Sequence, residues 1–373
     1  MLVDLASPSL ATIGGALSTV STPALLLDLD AFEANLGAMA AMASKAGVAL
    51  RPHAKAHKSS TISRHQMNAG AVGICCQKLS EAYPFVRAGI SNIHISNEFV
   101  GADKVVMAIE LARHVALSIC VDHVAQVHAV GKAATSSRVR ITVFPEVDIG
   151  QGRCGVASKE DLAALVDAID QYEGLIFGGL QAYHGGIQHV ANWNERREAA
   201  AQSADQTSAY VRFLEARGMR CPVVTGAGTG TAEFDAFSGV FTELQPGSYV
   251  FLDGHYGSSE WIGAHNPRHG LFIASTIMSS AKPGKVVCDV GLKGVAVDSG
   301  LPRVHGTSDL YCSAVNDEHA MLTTSLQQDR LGERLLLIPG HCDPTCNLYD
   351  QFVCFRGEIV EDIWPIDARG HSQ

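Results

Sequence analysis

Residues 51–58 read R-P-H-A-K-A-H-K, directly after the apolar run G-V-A-L. Continued as a strand, this stretch places Arg51, His53, Lys55 and His57 on one face, because successive side chains alternate. An ammonium crowded by like charges and partly desolvated gives up its proton more readily, which is what an amine nucleophile requires. Lys55 is the expected nucleophile, and Lys58, of opposite parity, the poorer candidate. The competing reading is a solvated basic strand end that grips a carboxylate.

Two further stretches concentrate reactive types. T-G-A-G-T-G-T (225–231) is built of small residues that let backbone N–H groups approach an anion, with Thr229 and Thr231 adding hydroxyl donors. P-G-H-C-D-P-T-C-N-L-Y-D (339–350) gathers metal-ligand types. If it is extended, His341 and Asp343 point the same way and Cys342 the other. One imidazole and one carboxylate suit Mn²⁺ or Mg²⁺, and a thiolate in place of the carboxylate favours Zn²⁺. A Pro-bracketed turn that uses His and Asp as caps is the alternative.

Short apolar runs at 47–51, 71–76, 92–96, 117–121, 139–147, 175–183, 222–225 and 248–252 alternate with helical patterns, which predicts a (β/α)8 TIM barrel. One helix follows Asp30 as N-cap, with Leu29, Phe32, Leu36, Met39 and Ala43 at helical spacing and Gly47 past its end. Another covers 195–217. Beyond about residue 260, short β-rich pieces divided by Gly and Pro predict an all-β domain, to which the early run 24–29 is expected to return. The expected division is a barrel over 30–258 and a β-domain from 1–29 and 259–373.

The barrel reading places function at the C-terminal ends of strands, with a phosphate site after the seventh and eighth. Thr225 to Gly230 follow the seventh, and Gly247, Ser248 and Tyr249 accompany the eighth. A nucleophilic lysine and a phosphate cradle in one barrel point to pyridoxal 5′-phosphate (PLP). Other strand ends offer Gln77, Asn97, Glu98 and Asp122. Arg153 can pair with an anion or the pyridine nitrogen, Tyr183 can pack on a ring, and His189 can act as a base.

The bulk numbers bound the partners. The formal net charge is −10 with no long basic run, so nucleic acid is not expected. No apolar run reaches the roughly 20 residues of a membrane helix. The first residues lack a basic leader, and ten cysteines in hydrophobic surroundings suit reduced thiols in a cytoplasmic protein.

Taken together, R-P-H-A-K-A-H-K, G-I-C-C-Q-K-L-S-E-A, V-D-I-G-Q-G-R-C-G, Q-A-Y-H-G, T-G-A-G-T-G, T-E-L-Q-P-G-S-Y, N-D-E-H and H-C-D-P-T-C-N-L-Y-D resemble the D-threonine aldolase family, similar in fold to alanine racemase. The resemblance runs from about residue 20 to Arg369. It implies that Lys55 is the Schiff-base lysine, that His341 and Asp343 hold the metal, and that His189 is the base. It also implies that Arg153, Tyr183, Gly228, Thr229, Gly230 and Tyr249 surround the cofactor. Ala227 stands where many relatives carry a third glycine, and C-T-C is similar to 3-hydroxy-D-aspartate aldolases. Related D-serine and hydroxyaspartate dehydratases have Cys two residues after the His, so Asp343 favours aldol cleavage. The implied enzyme is a homodimer that cleaves a small D-β-hydroxy-α-amino acid to glycine and an aldehyde.

Overall fold

The computed structural model describes residues 9–263, 266–326 and 328–373. In chain order the first part comprises β1 (Ala24–Asp28), α1 (Leu29–Ala46), β2 (Ala49–Leu50), α2 (Ser60–Asn68), β3 (Ile74–Cys76), α3 (Leu79–Arg87), β4 (Asn92–Ile95), α4 (Ala102–Ala112) and β5 (Ala116–Val121). There follow α5 (Val124–Ser137), β6 (Ile141–Val147), α6 (Lys159–Ile169), β7 (Leu175–Phe177), β8 (Gly179–Ala182), α7 (Trp193–Ala216), β9 (Val223–Gly226), α8 (Ala232–Ala236) and β10 (Glu243–Leu244).

All strands from β2 to β10 pair in parallel, in the order β2-β10-β9-β8-β6-β5-β4-β3, with β7 also on β6. A parallel bridge between His53 and Cys75 joins the two edges and closes the TIM-like barrel. β7 and β8 are one stave broken at Gly178–Gly179. Gly179 has φ +132°, and a side chain there would collide with the Val223 carbonyl of the neighbouring strand. Strands covered on both faces need unbroken apolar runs, and Ile74, Cys75 and Cys76 are fully buried.

Two local expectations are corrected. The eighth stave is Glu243–Leu244, not 248–252. Ser248–Val250 forms a 3₁₀ turn whose Tyr249 and Val250 are buried without strand pairing, so apolarity there reports burial alone. A two-residue strand bearing a carboxylate carries no periodic signal. The N-cap of α1 is Asp28, whose Oδ1 accepts from the amides of Asp30 (2.9 Å) and Ala31 (3.2 Å), rather than Asp30.

The barrel interior is polar on this side. Arg51 Nε donates to Glu243 Oε1 (2.9 Å) and its Nη1 to Asn92 Oδ1 (2.8 Å). Glu243 also accepts from the Thr225 hydroxyl (2.8 Å), which itself accepts from Gln245 Nε2 (2.8 Å).

The second part comprises β11 (Leu271–Lys282), β12 (Lys285–Cys288), β13 (Arg303–Val304), β14 (Leu310–Val315), β15 (Ala320–Thr324), β16 (Arg334–Ile338), α9 (Cys342–Cys346), β17 (Gln351–Arg356) and β18 (Ile359–Pro365). Its sheet runs β14-β15-β12-β11-β1-β17-β18, with β16 on β11 and β13. β1 lies antiparallel to β11 and parallel to β17. Leu26, Phe272, Ala274, Ile338, Val353 and Phe355 share one core. The chain divides into two compact units, one of residues up to Ala34, Val250–Gly257 and Pro267–Ile366, the other of Asn35–Tyr249, Ser258–Asn266 and Asp367–Gln373. Among the described residues no helix is long and apolar enough to cross a membrane.

Arg51→Ala strands the buried Glu243 carboxylate, so a loss of about 3–5 kcal/mol in urea unfolding is expected. Arg51→Met with Glu243→Gln removes both charges and is expected to recover most of that loss; equal stability of single and double variants would contradict the ion pair's role.

Candidate active site

In the barrel unit the lysine stretch is not an extended strand. After β2 the chain turns at Ala54–Ala56, a 3₁₀ turn with Lys55 at its centre. His53 causes this locally: its Nδ1 accepts from the Lys55 amide (3.4 Å) while Nε2 meets Ser96 Oγ (2.8 Å). His57 is fully buried and its Nδ1 accepts from the Ser59 amide (3.1 Å). An imidazole nitrogen that accepts an amide N–H holds no proton, so both rings are neutral. Arg51 is committed to Glu243. The crowding by cations expected around Lys55 therefore does not come from these three residues; Lys55 itself is half-buried in the turn.

Lys58 has φ +50° and is engaged elsewhere. Its ammonium pairs with Glu81 (2.9 Å) and donates to the His371 carbonyl (3.0 Å), and its own carbonyl accepts from the Ala368 amide (2.9 Å). Asp367 Oδ1 accepts from the Ser60 amide (2.9 Å). Residues 367–371 thus strap the lysine turn from outside. On another side sits Gly247, where an added Cβ would lie 3.0 Å from the His53 carbonyl oxygen and 3.2 Å from Ala56 Cβ. Gly247, Ser248 and Tyr249 are so brought against the Lys55 turn. Tyr249 is buried, its hydroxyl accepting from Gln66 Nε2 (3.3 Å).

The loop after β9 has the form of a cradle. Ala227 has φ +65°, a left-handed conformation that costs a residue with a Cβ roughly 1–2 kcal/mol. A Cβ on Gly228 or Gly230 would collide with Gln188. The Thr229 hydroxyl is buried and has no hydrogen-bond partner among the described residues, an orphan that an anionic oxygen would satisfy. Thr225, expected beside a cofactor, instead turns its hydroxyl into the barrel interior, toward Glu243.

Arg153 stacks over the Tyr183 ring (5.4 Å) and lies 3.9 Å from Glu146 Oε1. Burial, then the neighbouring Glu98, pushes the Glu146 carboxyl well above the usual carboxylate range, so it favours the protonated form. Glu98, Asp122 and Cys154 gather in the same unit. The Gln77 amide donates to Glu81 Oε2 (2.7 Å), the carboxylate that pairs with Lys58. His189 lies just beyond the short turn Gly185–Ile187, with Nδ1 shielded from solvent.

In the β unit, His341 is the extended N-cap of α9, and Asp343 sits in the helix's first turn. The extended-chain expectation for 341–343 fails after His341, yet the two side chains still meet: His341 Nε2 is 4.0 Å from Asp343 Oδ1. Asp298 Oδ2 lies 2.7 Å from His341 Nδ1, a contact that fixes the ring with Nε2 turned toward Asp343. A nitrogen and a carboxylate so arranged fit a divalent ion. The Cys342 thiol is buried and donates to Asp343 Oδ1 (3.3 Å), and its amide donates to Asp253 Oδ2 (2.9 Å).

Residues 27–254 match the family model described as "Alanine racemase, N-terminal domain", and 270–355 that described as "Putative serine dehydratase domain". A D-threonine aldolase of Arthrobacter sp is 47% identical over 99% of this chain and 98% of its own. The chain belongs to the D-threonine aldolase family. It is therefore a lyase with the fold of PLP enzymes. A 3-hydroxy-D-aspartate aldolase of Paracoccus denitrificans (strain Pd 1222) is 39% identical over 95% of this chain and 93% of its own. The crystal structure of D-threonine aldolase from Filomicrobium marinum, 42% identical, superposes with a TM-score of 0.95 over 97% of this chain and 100% of that one.

Several residues around these sites escaped the sequence reading. Gln188, next to His189 in the sequence, had no chemical type to single it out. Asp298 lies 43 positions before His341 in an unpatterned loop. His94, inside the barrel, bonds Ser118 Oγ (2.9 Å) and Gln181 Oε1 (3.4 Å). Burial, then the nearby Arg51, lowers its pKa to about 4.

His94 is thus neutral when folded but titrates near 6.5 when unfolded. Its contribution is complete above pH 6.5 and is lost as pH falls toward 4, by about 3 kcal/mol. Urea midpoints of the wild type and His94→Gln should accordingly converge between pH 7 and 4; parallel curves would remove His94 as the cause.

Proposed function

We propose that the enzyme is a PLP- and divalent-metal-dependent aldolase that cleaves D-β-hydroxy-α-amino acids of the D-threonine type to glycine and an aldehyde. When bound, PLP supplies an electron sink for the bond-breaking carbanion and the metal, Mn²⁺ by its donor set, supplies Lewis acidity to a hydroxyl. Lys55 provides the amine that holds the cofactor aldehyde, on a turn fixed by His53. Thr229 and Gly228, in the loop that Gly230 closes against Gln188, receive the phosphate together with Gly247, Ser248 and Tyr249. Tyr183 and Arg153 border the ring, and Gln77 lies near the carboxylate that fixes Lys58. His189, shielded at Nδ1, exchanges the hydroxyl proton at Nε2. His341 and Asp343 hold the metal, with Asp298 orienting the imidazole.

The observation that carries aldol cleavage over dehydration is the oxygen donor at 343, facing His341 Nε2 at 4.0 Å while the adjacent thiol is turned into the protein. A carboxylate suits a hard ion such as Mn²⁺, whereas a thiolate would select a softer one. The 3-hydroxyaspartate substrate is a second reading, favoured by the Paracoccus relative. None of the ten cysteines is joined in a disulfide, which supports a reducing, cytoplasmic setting. A homodimer remains the expected assembly.

Incubation with D-threonine should yield glycine and acetaldehyde, and chelation should suppress it; ammonia and a keto acid instead would establish a dehydratase. Lys55→Ala should lose the visible-edge absorbance of the bound cofactor. Asp298→Asn should weaken Mn²⁺ binding by about 10–100-fold in calorimetry without loss of PLP, and unchanged affinity would exclude its orienting role.

A further inference from the structure

We propose that Gln188 is a positioning residue that organises the anion cradle and locks it to the segment carrying His189. The inference rests on the cofactor reading above. Gln188 is 2% exposed, and both ends of its amide are in use. Its Oε1 accepts from the amides of Gly230 (3.1 Å) and Thr231 (3.2 Å), while Nε2 donates to the Thr231 hydroxyl (3.0 Å) and the His184 carbonyl (3.2 Å). Two of the cradle's N–H groups are thereby committed to Gln188 before any anion arrives. Just upstream lies the Thr229 hydroxyl, which has no partner among the described residues.

The glycines fit the same account. A Cβ on Gly228 would strike the Gln188 side chain, and one on Gly230 its backbone carbonyl, so the two glycines are needed to seat the glutamine as well as an anion. Arg196 ties the same residue, Gly230, from its carbonyl side. Fully buried between Trp193 and Trp261 (5.3 and 5.4 Å), it donates to the Gly230 carbonyl (3.0 Å) and to the carbonyls of Val190 and Ala191. His189 thus sits between Gln188, bonded to Gly230 directly, and Val190, linked to it through the Arg196 guanidinium. A phosphate held in the cradle and a base at 189 share one scaffold, and Gln188 is its side-chain bolt.

The test compares wild type, Gln188→Ala and Gln188→Glu, each purified as holoenzyme, stripped, and titrated with PLP and with pyridoxal, which lacks the phosphate. Gln188→Ala should lose about tenfold or more in PLP affinity, since buried loop amides lose their acceptor, while pyridoxal affinity stays within about twofold. Gln188→Glu keeps the acceptor but loses the Nε2 donors and adds a charge beside the phosphate, so its PLP loss should be larger still. Equal losses for PLP and pyridoxal in both variants, or no loss for either, would overturn the assignment. If wild type itself fails to prefer PLP to pyridoxal, the cofactor reading falls and the Gln188 role with it.

Discussion

An ion pair inside the barrel sets the geometry of everything at its mouth. Arg51 ends the first stave and Glu243 opens the eighth, and their 2.9 Å contact pins the two strands from which the lysine turn and the Gly247–Tyr249 segment depart. Asn92 and Thr225 draw the third and seventh staves into the same network. Because the staves flanking β2 are so short, side-chain bonds inside the barrel do work that backbone ladders do in longer strands. A low-dielectric interior makes such pairs rigid when complete and costly when broken.

That network also explains why Arg51 proved misleading in the sequence. Basic residues at alternate positions suggested one cationic face, but a single proline after β2 and a histidine that accepts from the amide two residues on, that of Lys55, replaced the strand with a turn. Alternation is a statement about extended backbone, and it ends where the backbone does. His53 and His57 look like charges in one-letter code and behave as neutral hydrogen-bond acceptors in place, because amide N–H groups claim a nitrogen of each.

Much else was legible. Seven of the eight staves were marked by buried apolar runs, and the run that became β1 stood apart from them as an early strand of the antiparallel sheet. The loop after β9 announced itself by small residues, and His341 and Asp343 by type. What could not be read was partnership across long sequence separations: Glu243 hidden in a two-residue strand, Gln188 bonded to a loop some 40 residues on, Asp298 beside His341. Each acts by position rather than by chemical type, and position is set only when distant elements pack.

The strap at 367–371 gives the lysine turn a second, remote owner. Its carbonyls and amides grip Lys58, three residues from the proposed nucleophile, although more than 300 positions separate them along the chain. A substitution made in this segment for reasons of its own would therefore also disturb the turn that carries Lys55.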